Sequence, residues 1–178
     1  AEKLALLRSH GITRNPAQMT HDPDGPWYYQ QIDLGYNYRM TELQAALGLT
    51  QLERLDEFVA KRHAIAKRYE ALLQDLPITN PWQHPEGFSS RHLYIVRLTS
   101  EAESRRAVFE RMRAYEIGVN VHYIPVHLQP FYQNRGFAEG DFPVAERYYS
   151  EAISLPIYPG LSEEQQHEVV RAITLSIY

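Results

Sequence analysis

The chain has no cysteine among its 178 residues. That excludes a disulfide scaffold and cysteine-ligated metal, and it suits a reducing cytoplasm. No apolar run approaches the roughly 18 residues a membrane span needs. The opening segment, already charged at Glu2 and Lys3, shows no signal-peptide pattern. Basic excess is missing too: the net charge is −4, which argues against binding a nucleic-acid backbone. Lysine is scarce, with Lys3, Lys61 and Lys67 the three present. What is there is an ordinary globular composition, 44% hydrophobic and 22% charged, enough for one domain or a little more. Tyrosine is frequent at 13, many of them in expected loops, where they either line polar pockets or sit half-buried on the surface.

The chain opens on Ala1 inside a helical pattern, with Leu4 and Leu7 on one face and Gly11 as the stop, so the opening reads as a cut. A polar and aromatic loop follows at 12–38, and its length of about 27 residues points to function rather than mere connection. Thr41 and Gln44 fit a capping box. Leu43, Leu47, Leu55, Phe58, Ile65, Tyr69 and Leu72 then form a helical stripe that Pro77 ends. One unbroken helix of that length would run on the order of 50 Å, so a break is expected near residues 48–51, or else a partner subunit alongside. Beyond it the pattern predicts a strand at 92–98, a helix at 101–116 and a second strand at 119–124. The helix carries Val108, Phe109, Met112 and Tyr115 inward, with Gly118 at its end. A short helix from Asp141 to Ala152, an edge strand at Ser154-Leu155-Pro156, and a last helix complete the chain. That last helix is capped by Ser162 and Gln165, with Val169, Ala172 and Ile173 inward. The order gives an α+β domain on a small, mainly antiparallel sheet.

Two constellations carry chemistry. Asp33-Leu34-Gly35-Tyr36-Asn37-Tyr38-Arg39-Met40 puts an amide and a guanidinium just before a capped helix N-terminus, which suits a phosphate or carboxylate. Alternatively, Asn37 is a turn residue and Arg39 pairs with Glu42. Val121-His122-Tyr123-Ile124-Pro125-Val126-His127 gathers two histidines and a tyrosine where a strand turns, suited to hydrogen-bonding a sugar or phosphate. A metal would need a third ligand that the spacing does not supply, and a plain exposed pair is the other option. Arg8-Ser9-His10-Gly11 makes a polar knot closing the first helix. Arg105, Arg106, Arg111 and Arg113 alternate with Glu101, Glu103, Glu110 and Glu116, the pattern of a solvated face.

Leu7-Arg8-Ser9-His10-Gly11, the run from Gly35 through Met40-Thr41-Glu42-Leu43-Gln44 to Gly48, and Gln51-Leu52 closely resemble the DegT/DnrJ/StrS sugar aminotransferases. His122-Tyr123-Ile124-Pro125-Val126-His127 and Ser154-Leu155-Pro156-Ile157-Tyr158-Pro159 resemble the same family's later landmarks, in order along the whole chain. Pro26-Trp27-Tyr28-Tyr29 and Gly140-Asp141-Phe142-Pro143-Val144-Ala145-Glu146 look most like its pseudaminic acid branch. The resemblance implies the C-terminal small domain of a fold-type I transferase that uses pyridoxal 5'-phosphate (PLP). It divides the chain into 1–40, a remnant of the large PLP domain with an active-site loop, 41–76, an interdomain helix region, and 77–178, the small α/β domain. It further implies a cytoplasmic homodimer with shared sites. That enzyme aminates a UDP-linked 4-keto-6-deoxy sugar for cell-surface polysaccharide, with glutamate as donor. Asn37 would reach the phosphate of the neighbouring subunit's cofactor, with Arg39 close by. His122, Tyr123, Ile124 and Pro125 would contact the nucleotide sugar, with His127 assisting.

In that family the cofactor lysine lies upstream of the Arg8-Ser9-His10-Gly11 segment, so no catalytic residue is expected in this chain. Two alternatives stand beside transamination: a dehydratase of the same family, with histidine in place of that lysine, or a non-catalytic module that binds a nucleotide sugar or a protein. The last of these predicts no large exposed apolar patch.

Overall fold

The computed structural model describes residues 1–23, 28–99 and 102–178. Pro26 and Trp27 of the expected aromatic loop lie outside the described residues, as does the expected helix start at Glu101. The chain forms two compact units, 1–53 and 54–178.

The first unit contains helix α1 (Glu2–Leu7), the short strands β1 (Ile12–Thr13) and β2 (Gln30–Gln31), and helix α2 (Glu42–Leu52). The two strands pair antiparallel, Ile12 with Gln31 and Thr13 with Gln30, and so close the long loop at its base. Inside the loop, Asn15 caps a 3-10 turn at Pro16–Gln18 and Gln30 Oε1 accepts the Thr20 N–H at 2.8 Å. Thr41 and Gln44 form the expected capping box of α2. Among the described residues of this unit only Gly11 and Thr13 are buried. Its order therefore rests on backbone hydrogen bonds and close backbone packing rather than on an apolar core.

The second unit begins with α3 (Leu55–Leu72), so the break in the stripe falls at residues 53–54, just beyond the expected 48–51. Three strands follow, β3 (Ile78–Thr79), β4 (Tyr94–Leu98) and β5 (Ala152–Leu155), in the order β3-β4-β5 and antiparallel throughout. Helices α4 (Arg105–Ala114), α5 (Pro130–Gln133), α6 (Pro143–Glu151) and α7 (Glu163–Ile177) complete the unit. Tyr94, Val96 and Leu98 alternate inward along β4 and meet Ile65, Tyr69 and Leu73, Val108 and Met112, and Val169, Ile173 and Ile177 in one core. Each such side chain removed from water contributes about 1.5–3 kcal/mol before entropy is counted. Gln166, fully buried, ties α7 to α3 by donating to the Ile65 carbonyl at 2.8 Å and accepting from Arg68 at 2.7 Å. Among the described residues no helix is long and apolar enough to cross a membrane.

Four sequence expectations shift. Leu73, one residue past α3, fills the core where Leu72 was expected, because Ile65, Tyr69 and Leu73 keep an exact four-residue step. Tyr115 is exposed rather than inward, since it lies past the last turn of α4. That helix closes at Glu116, not Gly118. Glu116 takes a positive φ of 61°, its N–H bonds the Arg113 carbonyl, and the Ile117 N–H bonds the Met112 carbonyl, both at 3.0 Å. This is a Schellman closure built without glycine. Finally, 119–124 is not a strand. Only Asn120 pairs, with Ser154, and the next donor, the Val121 N–H, is taken by the Asn120 side chain at 2.8 Å.

Candidate active site

In the first unit the residues after α1 and those before α2 are locked together. Gly11 has φ 72°, and its N–H closes back on the Leu6 carbonyl at 3.0 Å. The Tyr36 N–H reaches Leu7 O at 2.7 Å, the His10 N–H reaches Tyr36 O at 2.8 Å, and the Tyr38 N–H reaches Arg8 O at 2.9 Å. Two glycines permit this approach. A Cβ on Gly11 would stand 1.9 Å from the Asp33 carbonyl oxygen, and one on Gly35 would stand 2.3 Å from the Gly11 nitrogen. The polar knot at Arg8–Gly11 and the run through Arg39 are therefore one structure, held backbone to backbone.

That lock fixes what the side chains present. Tyr36 and Tyr38 stack with centroids 5.1 Å apart. Alternation in extended backbone puts Asn37 and Arg39 on the other side. Among the described residues neither side chain has a hydrogen-bond partner, and Arg39 makes no ion pair with Glu42. The capping box takes the Gln44 N–H, leaving those of Glu42 and Leu43 at the positive end of α2. Arg39 also borders a cavity of about 340 Å³ lined by Ser9, His10, Ile12, Arg14 and Tyr29. Two arginines, Arg14 and Arg39, with no carboxylate in the lining, fit an anionic group such as a phosphate. None of the three lysines fits the role of carrying a cofactor, since all are exposed to water.

In the second unit β5 organises the other candidates. Ile153 and Leu155 face the core, while Ser154 faces the opposite way and meets His122, its Oγ 2.7 Å from Nδ1. Asn120 Nδ2 lies 3.5 Å from the other ring nitrogen, so both edges of the imidazole are occupied or approached. Tyr123 and Ile124 are exposed, with the Tyr123 ring set edge-on to His122. Tyr123 and Pro125 form one wall of an open cleft of about 700 Å³, and Phe142, Pro143, Val144, Ala145 and Tyr148 form the rest with Asp141. Tyr123, Ile124 and Pro125 thus face solvent or a largely apolar cleft, a surface that a sugar and its attached groups can occupy, while the His122 ring is held behind them by Ser154.

His127 differs from its neighbours. It is 7% exposed, and its Nε2–H donates to Glu146 Oε1 at 2.7 Å. The same carboxylate accepts the Gly140 N–H at 2.9 Å and the Phe142 N–H at 3.4 Å. The hydrogen bond from His127, reinforced by those backbone donors, holds the Glu146 carboxyl below its ordinary range. Glu146 therefore clamps the turn at 125–128 and the loop at 140–142 together, fixing two walls of the cleft. Sequence reasoning quoted Glu146 without giving it a role. The signal was a carboxylate in the first turn of α6, whose N-cap residue Phe142 has no capping side chain. Arg14 was missed because nothing local marks it; it reaches the cavity only through the Gly11–Gly35 lock. Three of the four arginines of α4 are occupied: Arg106 pairs with Glu110 at 2.8 Å, Arg111 with Glu103 at 3.4 Å, and Arg105 lies over the Tyr149 ring.

Comparison with known proteins places this arrangement. The model of the DegT/DnrJ/EryC1/StrS aminotransferase family matches residues 1–174. The spore coat polysaccharide biosynthesis protein SpsC of Bacillus subtilis is 38% identical over 178 residues, covering 97% of this chain and 46% of SpsC. The UDP-4-amino-4,6-dideoxy-N-acetyl-beta-L-altrosamine transaminase of Campylobacter jejuni is 33% identical, covering 88% of this chain and 40% of that protein. The solved structure of Spr1654 from Streptococcus pneumoniae, in its PLP form, superposes with a TM-score of 0.86 at 29% identity. It covers 98% of this chain and 42% of that one. The chain spans less than half the length of these relatives. It belongs to the DegT/DnrJ/EryC1/StrS aminotransferase family.

Proposed function

We propose that this chain is the substrate-side part of a PLP-dependent aminotransferase that moves an amino group from glutamate to a UDP-linked 4-keto-6-deoxy sugar, in the cytoplasm, for cell-surface polysaccharide. The family match over residues 1–174 carries the proposal, and the altrosamine transaminase among the relatives supports the sugar class. Residues 1–40 would belong with a large cofactor domain, 41–76 would be the interdomain helix region, and 77–178 the small domain.

In this account Asn37 donates from its amide to the phosphate of PLP held by a neighbouring subunit of a homodimer, and Arg39 adds charge beside it. When bound, PLP supplies the electron sink for amino transfer. His122, Tyr123, Ile124 and Pro125 seat the nucleotide sugar against the cleft, with the His122 ring steadied by Ser154. His127 orients that turn through Glu146 and so acts as a positioning residue. Exposed leucines on α2, Leu43 at 85% and Leu47 at 63%, favour a subunit partner and count against a stand-alone binding module.

The full-length protein, supplied with PLP, glutamate and a UDP-linked 4-keto-6-deoxy-N-acetylhexosamine, should form 2-oxoglutarate and the amino sugar in equal amounts. Loss of water from the sugar with no amino product would point to the dehydratase instead and defeat the proposal. So would bound PLP with no reaction.

A further inference from the structure

The cleft beside Tyr123 and Pro125 has a neighbour. A second cavity, of about 380 Å³, shares Pro125, Phe142 and Ala145 with it, so the two adjoin across a common wall. No carboxylate, lysine or arginine lines this second cavity. Rings line it in series: between centroids, His127 lies 4.8 Å from Phe142, Phe142 6.2 Å from Phe137, and Phe137 6.4 Å from Tyr132. Phe137 and Phe142 are both exposed, so a ligand can cover them. His127 is the exception in this apolar lining. It is nearly buried, and Glu146 takes its Nε2–H, which leaves Nδ1 as the acceptor of the ring. Among the described residues no donor reaches Nδ1. Nor is it sealed in, since the buried side-chain nitrogens without a partner are Arg62 Nε and Arg91 Nε. Such an acceptor calls for a donor from outside the chain.

One donor beside an apolar chain is what an acylamino group offers. Its N–H can meet Nδ1 of His127, and its acyl chain can cover the rings of Phe137, Phe142 and Tyr132. A hydroxyl in its place supplies the donor but leaves the rings bare. We propose that this cavity is an acyl subsite, which takes the acylamino substituent of a nucleotide-linked sugar lying in the adjoining cleft, and that Phe137 is its specificity-determining residue. The proposal rests on the nucleotide-sugar reading of the cleft and deepens it. A volume of about 380 Å³ is more than an acetyl methyl fills, so the subsite also admits a longer acyl chain. Phe137 lines this cavity and not the cleft, so changing it separates the acyl group from the rest of the sugar.

The test uses the full-length protein in two formats. UDP-glucose, UDP-N-acetylglucosamine and UDP-N-butyrylglucosamine, which differ only in this substituent, are titrated calorimetrically into the protein without PLP. Wild type should bind the N-acetyl sugar roughly tenfold more tightly than UDP-glucose, the size of one hydrogen bond and one covered methyl. The N-butyryl sugar should gain a further factor of about four or more from its added methylenes. Phe137→Ala should erase that further gain and leave the affinity for UDP-glucose unchanged, which also shows the variant to be folded. Phe137→Leu, which keeps apolar surface, should retain most of the gain. In the loaded enzyme Phe137→Ala should raise KM for the N-acylated sugar and leave KM for glutamate unchanged. Equal wild-type affinities for UDP-glucose and UDP-N-acetylglucosamine overturn the proposal, as does an acyl preference that Phe137→Ala leaves intact. Either result beside full amino transfer leaves the transaminase reading standing. Acyl-dependent binding that Phe137→Ala abolishes, in an enzyme that transfers no amino group, upholds the subsite and defeats that reading. No binding of any of the three sugars and no amino transfer defeats both, so the failures are told apart.

Discussion

Gly11→Ala should cost about 3 kcal/mol, the sum of left-handed backbone strain and a backbone clash that no rotamer can relieve. Gly11 sits at φ 72° with the Asp33 carbonyl in the place of any Cβ. Gly35→Ala meets the Gly11 nitrogen and the Leu7 carbonyl, so it forces open the same contact from the other side. The effect is large because this unit has no apolar core in reserve. With only Gly11 and Thr13 buried among its described residues, the backbone lock sets where Asn37 and Arg39 project. Hydrogen exchange should show lost protection at the Tyr36 and Tyr38 amides, whose acceptors are Leu7 and Arg8. Gly48→Ala is the control. Gly48 lies within α2 with open space around it, and alanine there should stabilise by about 1 kcal/mol. Equal protection in Gly11→Ala and Gly48→Ala would show the lock to be dispensable.

Glu146→Gln should have the second largest effect, and it should appear in function before stability. The carboxylate collects three donors, from His127, Gly140 and Phe142. A glutamine turns one of its oxygens into a donor that faces other donors. The turn at 125–128 and the loop at 140–142 then lose their common anchor, and the cleft beside Tyr123 and Pro125 loosens. Mispositioning of that kind costs on the order of 10–100-fold, read as a raised KM for the sugar with the KM for glutamate unchanged. The pH dependence has a definite sign. The folded carboxyl titrates below its ordinary value, chiefly because His127 donates to it. Its contribution to stability is therefore fully present above the unfolded value of about 4.3 and is lost as pH falls through the lower folded value. Wild type should lose this contribution in acid, and Glu146→Gln should show no such step. A variant with unchanged sugar KM and an unchanged acid limb would mean the clamp does not shape the cleft.

Features set by neighbours along the chain were legible in the sequence. Both capping boxes, Thr41 with Gln44 and Ser162 with Gln165, need only four consecutive residues and an exposed helix start. The inward face of α7 followed from its period, and the antiparallel sheet from short strands between helices. Legibility failed where contacts made at a distance decide. Leu73 outbid Leu72 by the helix phase that the sheet selects. Residues 119–124 alternate like a strand, yet Asn120 turns its own side chain on the next amide and only one bridge forms.

The same division runs through the candidate site. Asn37, Arg39 and the segment from His122 to His127 stood out as residue types beside turns. The pairing of Gly11 with Gly35, and of His127 with Glu146, joins positions 24 and 19 residues apart, which no local pattern encodes. Those two pairings determine which donors face a ligand. His127 looked like its exposed neighbours in sequence, and only burial and its bond to Glu146 separate it from them.

In the proposed function this chain lends Asn37 to the phosphate of a cofactor. The most direct test is the PLP dissociation constant of the full-length protein, wild type against Asn37→Ala, measured by equilibrium titration. A lost hydrogen bond to a charged phosphate is worth about 1.5–3 kcal/mol, so PLP should bind roughly 10–100-fold more weakly while the protein stays folded. An Asn37→Ala protein that binds PLP as tightly as wild type would contradict the account.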